Sequence, residues 1–282
     1  MPVINTNINA QYSQDALKVN AKAMGNVMQQ LATGSRINAA KDDAAGLSIT
    51  QNMTSQIRGL NQAVRNVNDG INLLQTADGA LVETANMLQR MRELAVQSSN
   101  GVNSGSQRSY LDKEFKSLQT EIDRIAANTM WNNMPLIAGS GTGGVSSITF
   151  TFQAGISSGQ TIPVTIDSMA TSGLGVAATG SSAVTIATFG AAQSAITAID
   201  LAIESVSLSR SAMGATMNQL SYSADNMTNI STNIGASRST ILDTDYATAS
   251  AQLAKNQIIS QAATAMLAQA NQQPQSVLTL LK

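Results

Sequence analysis

The bulky apolar residues after Thr50 fall at Met53, Ile57, Leu60, Val64, Val67, Ile71 and Leu74, in alternating steps of four and three. A seven-residue apolar repeat of this kind belongs to a helix that packs along a seam. It continues through Leu81, Ala85, Leu88 and Ala95. The spacing predicts one helix from about Asp43 to Ser99, ~85 Å long at 1.5 Å per residue. Asn100-Gly101 supplies a stop. A second helix begins near Ser106, with a stripe of Leu111, Phe115, Leu118, Ile122 and Ile125. The short polar joint between the two predicts that the second folds back on the first.

A third helix carries Ile196, Ile199, Ile203, Val206, Met213, Met217, Leu220, Ala224, Met227, Ile234 and Ile241 in one seven-residue frame. The frame then slips by one, to Leu242, Tyr246, Ala249 and Leu253, which predicts a break near Asp243. At the other end of the chain two weaker stripes run side by side. One is Leu17, Ala21, Met24, Met28 and Leu31; the other is Tyr12, Ala16, Val19, Ala23 and Val27. The last forty residues resemble the first in being rich in Ala, Gln and Asn and poor in bulk. Neither end carries enough apolar surface for a core of its own. Each therefore needs the other, or a neighbouring copy, as its partner.

The middle of the chain changes period. Ile148, Phe150 and Phe152 alternate with Thr149 and Thr151, and Ile162, Val164 and Ile166 alternate after a Gly/Ser-rich turn. Two strands are predicted, the second an edge strand because of Pro163. Val184-Thr185-Ile186 is a candidate third. The expected fold is mainly α: an elongated antiparallel helical bundle or coiled coil with a small β-hairpin excursion in mid-chain. Its domains are expected at 1–42 plus 243–282, the paired termini, and at 43–242, a helical domain that includes the β-rich segment 139–190. The termini are expected to be disordered in the monomer and to order as a coiled coil on assembly.

Composition narrows the chemistry. Of 282 residues, 12% are charged and 3% aromatic, with net charge −1 and neither histidine nor cysteine. That removes His- or Cys-ligated metal sites and Ser-His-Asp or Cys-His nucleophile systems. No cofactor and no catalytic site is expected. A near-neutral chain is a poor match to nucleic acid. No apolar run reaches the length of a membrane span, and the opening MPVINTNINAQYS has neither the basic nor the apolar region of a Sec signal peptide.

Several segments carry a family resemblance. They are INTNINA at Ile4–Ala10, LATGSRINAAKDDAAGLSI at Leu31–Ile49, VRNVNDGINLLQTADGAL at Val64–Leu81 and LQRMRELAVQSSNG at Leu88–Gly101. Near the other end come LDTDYATASAQLAKNQIISQAATAMLAQAN at Leu242–Asn271 and SVLTLLK at Ser276–Lys282. Together they resemble bacterial flagellins, here a short form with the core domains and little or nothing beyond them. One departure is MWNNM at Met130–Met134, where the family often has a QFNG-like turn; Asn132-Asn133 still suits a turn.

The resemblance implies a structural subunit that self-assembles into the extracellular flagellar filament for motility, exported by the flagellar route. The partners it implies are further copies of the chain, an export chaperone, the filament cap, hook-junction proteins and the vertebrate Toll-like receptor that senses flagellin. It assigns receptor contact to Arg90, Leu94 and Glu114. Terminal coiled coil and self-assembly fall to Leu17, Met24, Met28, Leu31, Leu242, Tyr246, Ala249, Leu253, Leu278 and Leu281. Lys41, Asp42 and Asp43 mark the boundary between domains. The alternatives are a hook–filament junction protein of the same superfamily and a secreted helical adhesin or translocator. A flagellin with a protease domain would carry an H-E-x-x-H site, and this chain has no histidine.

Overall fold

The computed structural model describes residues 6–139, 147–178 and 183–280, with side chains described as far as residue 272. Five helices dominate: α1 Ile8–Thr33, α2 Ala44–Ser98, α3 Gly105–Asn128, α4 Phe189–Leu242 and α5 Tyr246–Leu280. Two hairpins stand between α3 and α4: β1 Met130–Trp131 with β2 Met134–Pro135, and β3 Ser147–Gln153 with β4 Thr161–Asp167. The fold is mainly α, as the periodicity predicts. The chain divides into two compact units, Met1–Ile57 with Thr232–Lys282, and Arg58–Ser231.

In the Arg58–Ser231 unit, α2, α3 and α4 share one apolar core. One buried seam of α2 runs through Leu60, Ala63, Val67, Gly70, Leu74, Ala77, Leu81, Thr84, Leu88, Met91, Ala95 and Ser98, in unbroken steps of three and four, with Leu73 and Leu94 buried beside it. The bulky stripe read from sequence shares Leu60, Val67 and Leu74 with this seam, but its other edge is different. Val64 and Ile71 are only half-buried, and small residues such as Ala63, Gly70 and Ala77 take the innermost places. Small side chains let another element approach the helix axis closely. At Gly70 a Cβ would come within 3.0–3.1 Å of the Phe152 ring, so the β3–β4 hairpin rests on a gap in the helix. Helix α4 repeats the theme, with Ala192, Ala195, Ile199, Ala202, Val206, Met213, Leu220 and Met227 buried. Helix pairs run antiparallel, tied by Arg92 to Asp200 at 2.6 Å, Arg210 to Asp78 at 2.7 Å and Arg90 to Glu114 at 2.8 Å.

Ends of elements follow local chemistry. Ser104 and Gln107 form a reciprocal capping box at the start of α3. Asn132 and Asn133 both take positive φ, 48° and 62°, which closes the β1–β2 turn. In the longer hairpin Phe150 pairs with Val164 and Thr151 with Pro163. Val164 and Ile166 face inward while Thr161, Pro163, Thr165 and Asp167 are exposed.

The expected third strand does not form. Residues Val184-Thr185-Ile186 pair with no strand among the described residues. The Val184 N–H donates to the Ala177 carbonyl, and the other polar groups bond to helix side chains. Asp112 accepts from Thr185 Oγ1 at 2.6 Å and from the Ile186 N–H at 2.9 Å. Gln119 Nε2 donates to the carbonyls of Val184 and Val176, and Ser98 Oγ to that of Ile186. A short apolar run reads as strand by pattern, but its backbone needs only a partner, and here helices supply it.

Candidate functional site

In the terminal unit, the two ends of the chain pair. Helices α1 and α5 run antiparallel, and each buries a single seven-residue seam. On α1 the inward positions are Ala10, Ser13, Leu17, Asn20, Met24, Val27 and Leu31; on α5 they are Ala249, Leu253, Asn256, Ser260, Ala263, Leu267 and Ala270. The seam of α1 draws on both sequence stripes and adds Ser13 and Asn20, which hydrophobicity does not flag. Three cross-links fix the register. Asn7 Nδ2 donates to the Ala270 carbonyl at 2.8 Å, Asn20 Nδ2 to the Asn256 carbonyl at 2.8 Å, and Tyr246 OH to the Leu31 carbonyl at 3.4 Å. The Asn256 Nδ2 is buried without a partner among the described residues.

Of the assembly residues expected from sequence, Leu17, Met24, Leu31, Ala249 and Leu253 lie in the seam. Leu242 is half-buried at the end of α4, Tyr246 is largely exposed, and Met28 faces outward. Leu278 is within α5, and Leu281 lies outside the described residues. The outer faces of the pair present Ile8, Tyr12, Val19 and Met28 from α1, and Ile258, Ile259 and Met266 from α5. A 280 Å³ hollow between Tyr12, Ser13, Met266 and Gln269 lies on this face.

The joints of the chain meet beside this pair. Gly34, at φ 69°, ends α1 in the left-handed conformation that favours glycine. The Thr244 N–H donates to the Gly34 carbonyl, the Arg36 N–H to the Leu242 carbonyl at 2.6 Å, and Arg36 Nη2 to the Ile241 carbonyl at 2.7 Å. The frame slip read near Asp243 is thus a real break, and the 34–36 segment is bonded to it. Asp43 Oδ1 accepts from the Gly46 N–H and caps α2, while Asp42 Oδ2 accepts from the N–H groups of Asn38 and Ala39. Lys41 is exposed. Asp245 caps α5: bonds from Thr248 Oγ1, then from the Thr248 and Ala247 N–H groups, hold its pKa below the usual aspartate value.

On the helical bundle, Arg90 and Glu114 come together. Arg90 Nε and Nη2 both donate to Glu114 Oε1, at 3.0 and 2.8 Å, and Nη1 donates to Glu93. Bonds to Glu93 and then Glu114 push the guanidinium pKa up. Leu94 is one helical turn along but 1% exposed, within the core. Sequence reading missed the polar clasp of α3. Asp112, Gln119 and Asp123 hold Thr171, Val176 and Val184–Ile186, with Asp123 accepting from the Thr171 N–H and Oγ1 at 2.8 Å. Asp112 also pairs with Lys116 at 2.8 Å. Burial pushes its carboxyl up, but the bonds from Lys116, Thr185 and Ile186 outweigh that and hold it below the usual range. The available signal was Asp112 and Gln119, seven apart beside the Phe115 stripe.

These features define an α-helical protein whose two chain ends pair as an antiparallel coiled coil and whose middle forms a helical bundle. Residues 4–142 match the bacterial flagellin N-terminal helical region, and residues 196–281 match the bacterial flagellin C-terminal helical region. The chain is 42% identical over 280 residues to the flagellin of Halalkalibacterium halodurans, covering 99% of this chain and 100% of that one. It is 40% identical over 285 residues to the flagellar filament 31.3 kDa core protein of Treponema maltophilum, covering 99% and 100%. A solved structure, a putative flagellar hook-associated protein from Vibrio parahaemolyticus, aligns with TM-score 0.58 at 15% identity, over 72% of this chain and 100% of that one. That likeness is one of fold alone. The chain belongs to the bacterial flagellin family. Its relatives are flagellins and filament core proteins, so it is a structural protein and not an enzyme. No helix among the described residues is long and apolar enough to cross a membrane.

Proposed function

We propose that this chain is the self-assembling subunit of a bacterial flagellar filament and serves motility outside the cell. One observation carries the reading: the paired terminal helices spend their apolar residues on two sides. Leu17, Met24, Leu31, Leu253 and Leu267 pack inward, while Tyr12, Val19, Ile258 and Met266 face out on the same two helices. Such outward apolar faces are expensive in water and suit a shared wall of helices from many copies. Contacts between unlike surfaces extend such a wall without closing into a ring. The terminal segments 1–42 and 243–282 form the inner, assembly-dependent domain, and 43–242 the outer core.

The same weakly packed ends suit unfolded passage through the flagellar export route and wrapping of the C-terminal helix by an export chaperone. The filament cap and the hook-junction proteins are the partners at its two ends. Recognition by the flagellin-sensing Toll-like receptor belongs to the free monomer, through the exposed Arg90–Glu114 pair, with Leu94 supporting the helix from within.

The test is electron microscopy of the purified chain after seeded, salt-induced polymerisation, beside a copy truncated after Asp243. Long filaments from the whole chain and none from the truncation are expected. Short caps on existing filament ends, with no elongation, would show a junction protein instead.

A further inference from the structure

The joint between α2 and α3 holds the chain's one Asn-Gly pair, Asn100-Gly101, and both residues are exposed. An asparagine before a glycine can react with its own backbone. The nitrogen of the glycine attacks the side-chain carbonyl carbon, ammonia leaves, and a succinimide ring remains. Glycine permits the attack because no Cβ shields its nitrogen. A site built for this reaction has a free N–H on the glycine and a side chain turned back over it. It also has partners for the two oxygens that gain negative charge.

The α2–α3 joint has all of these. The Gly101 N–H donates to no group among the described residues. The Val102 N–H donates to Asn100 Oδ1 at 3.3 Å, an Asx turn whose hydrogen-bonded ring contains the Gly101 nitrogen. This donor sits on the oxygen that becomes an oxyanion as the succinimide closes. The second oxygen is the Asn100 carbonyl. When the Gly101 nitrogen loses its proton, peptide resonance spreads the charge onto this oxygen. It accepts from Arg108 Nη2 at 3.1 Å and from the Asn103 N–H at 3.2 Å. Arg108 is itself anchored, its Nε donating to the Ser98 carbonyl at 2.9 Å.

We propose that Asn100 is a self-modification site: the Gly101 nitrogen closes on Asn100 Cγ, with Arg108 stabilising the peptide anion. Solvent base takes the Gly101 proton, and the amide leaves as ammonia with a proton from water. A second water opens the ring at either carbonyl, giving an aspartyl or an isoaspartyl residue. Nothing is oxidised or reduced, and the net change is water in and ammonia out. Each conversion places a new carboxylate beside Arg108. The isoaspartyl product also lengthens the backbone by a methylene, so the turn from Asn100 to Asn103 is lost and the joint loosens.

The experiment incubates the purified chain in mildly alkaline buffer and follows Asn100 by peptide mass mapping, with the two products separated chromatographically. Asn100 is expected to convert faster than every other asparagine, and faster in the folded chain than in the same chain held in denaturant. Arg108→Gln is expected to slow the folded chain roughly threefold to tenfold, the scale of one charge-assisted hydrogen bond. Arg108→Lys is expected to slow it less, and neither substitution to matter in denaturant. Gly101→Ala is expected to all but abolish conversion; a Cβ there would meet nothing within 4 Å, so the fold accepts it. Circular dichroism reports that each variant remains helical. The proposal is overturned if Asn100 converts no faster folded than unfolded, if Gly101→Ala converts like wild type, or if folded Arg108→Gln reacts as fast as wild type. Equal slowing of Arg108→Gln in denaturant would also overturn it, because the folded contact would then not be the cause.

Discussion

At the scale of single residues, the three positions that the family resemblance groups together do different physical work. Leu94 is core; Arg90 and Glu114 form a solvent-facing pair. Leu94→Ala is expected to cost ~2–5 kcal/mol of unfolding free energy, as large-to-small changes in packed cores do. Glu114→Gln is expected to leave the melting temperature almost unchanged while weakening receptor binding by the monomer. Thermal melting and a monomer binding assay on the same two variants separate the roles. Asp112 is the other residue of consequence. Its carboxylate is held by Lys116, Thr185 and Ile186, and Asp112→Asn is expected to destabilise the bundle by ~1–3 kcal/mol at neutral pH. Its folded pKa lies below the unfolded value, so this contribution is present above the ordinary aspartate range near ~3.9 and fades as pH falls below it. Melting curves of wild type and variant should therefore converge in acid; a constant gap down to the lowest pH would refute the assignment.

At the scale of elements, the terminal pair shows a coiled coil kept deliberately short of full apolar packing. Asn20 and Asn256 sit mid-seam, flanked by Leu17, Met24, Leu253 and Ser260, and the Asn256 amide nitrogen has no partner among the described residues. A buried polar layer fixes register and costs stability. The Asn20→Leu/Asn256→Leu variant is expected to tighten the pair, slowing amide exchange in α1 and α5 about tenfold, or ~1.4 kcal/mol. If exchange in those helices is unchanged or faster, the polar layer is not what weakens them.

At the scale of the molecule, the two units have unequal means. The Arg58–Ser231 unit has large fully buried side chains such as Phe115, Leu81, Leu88 and Met91, whereas the terminal unit buries mainly alanine and asparagine beyond Ile37. In dilute monomer, α1 and α5 are expected to exchange their amides much faster than residues 60–95 of α2, and to become protected on polymerisation. Equal protection in the monomer would contradict the assembly-dependent role of the ends.

The sequence by itself determined the helices, the hairpin from Ser147 to Asp167, the break at Asp243 and the family. Each of these is written in local period, turn chemistry or contiguous motif. Only the tertiary structure decided which edge of each stripe is innermost. Ala63, Gly70, Ala77 and Asn20 lie deeper than neighbouring bulkier residues because close helix and hairpin approach selects small side chains, which no hydrophobic pattern marks. It also decided that Val184–Ile186 is clasped by Asp112 and Gln119, not by a strand. A backbone hydrogen bond can be met by any donor or acceptor brought near it, and only the folded chain brings those side chains there.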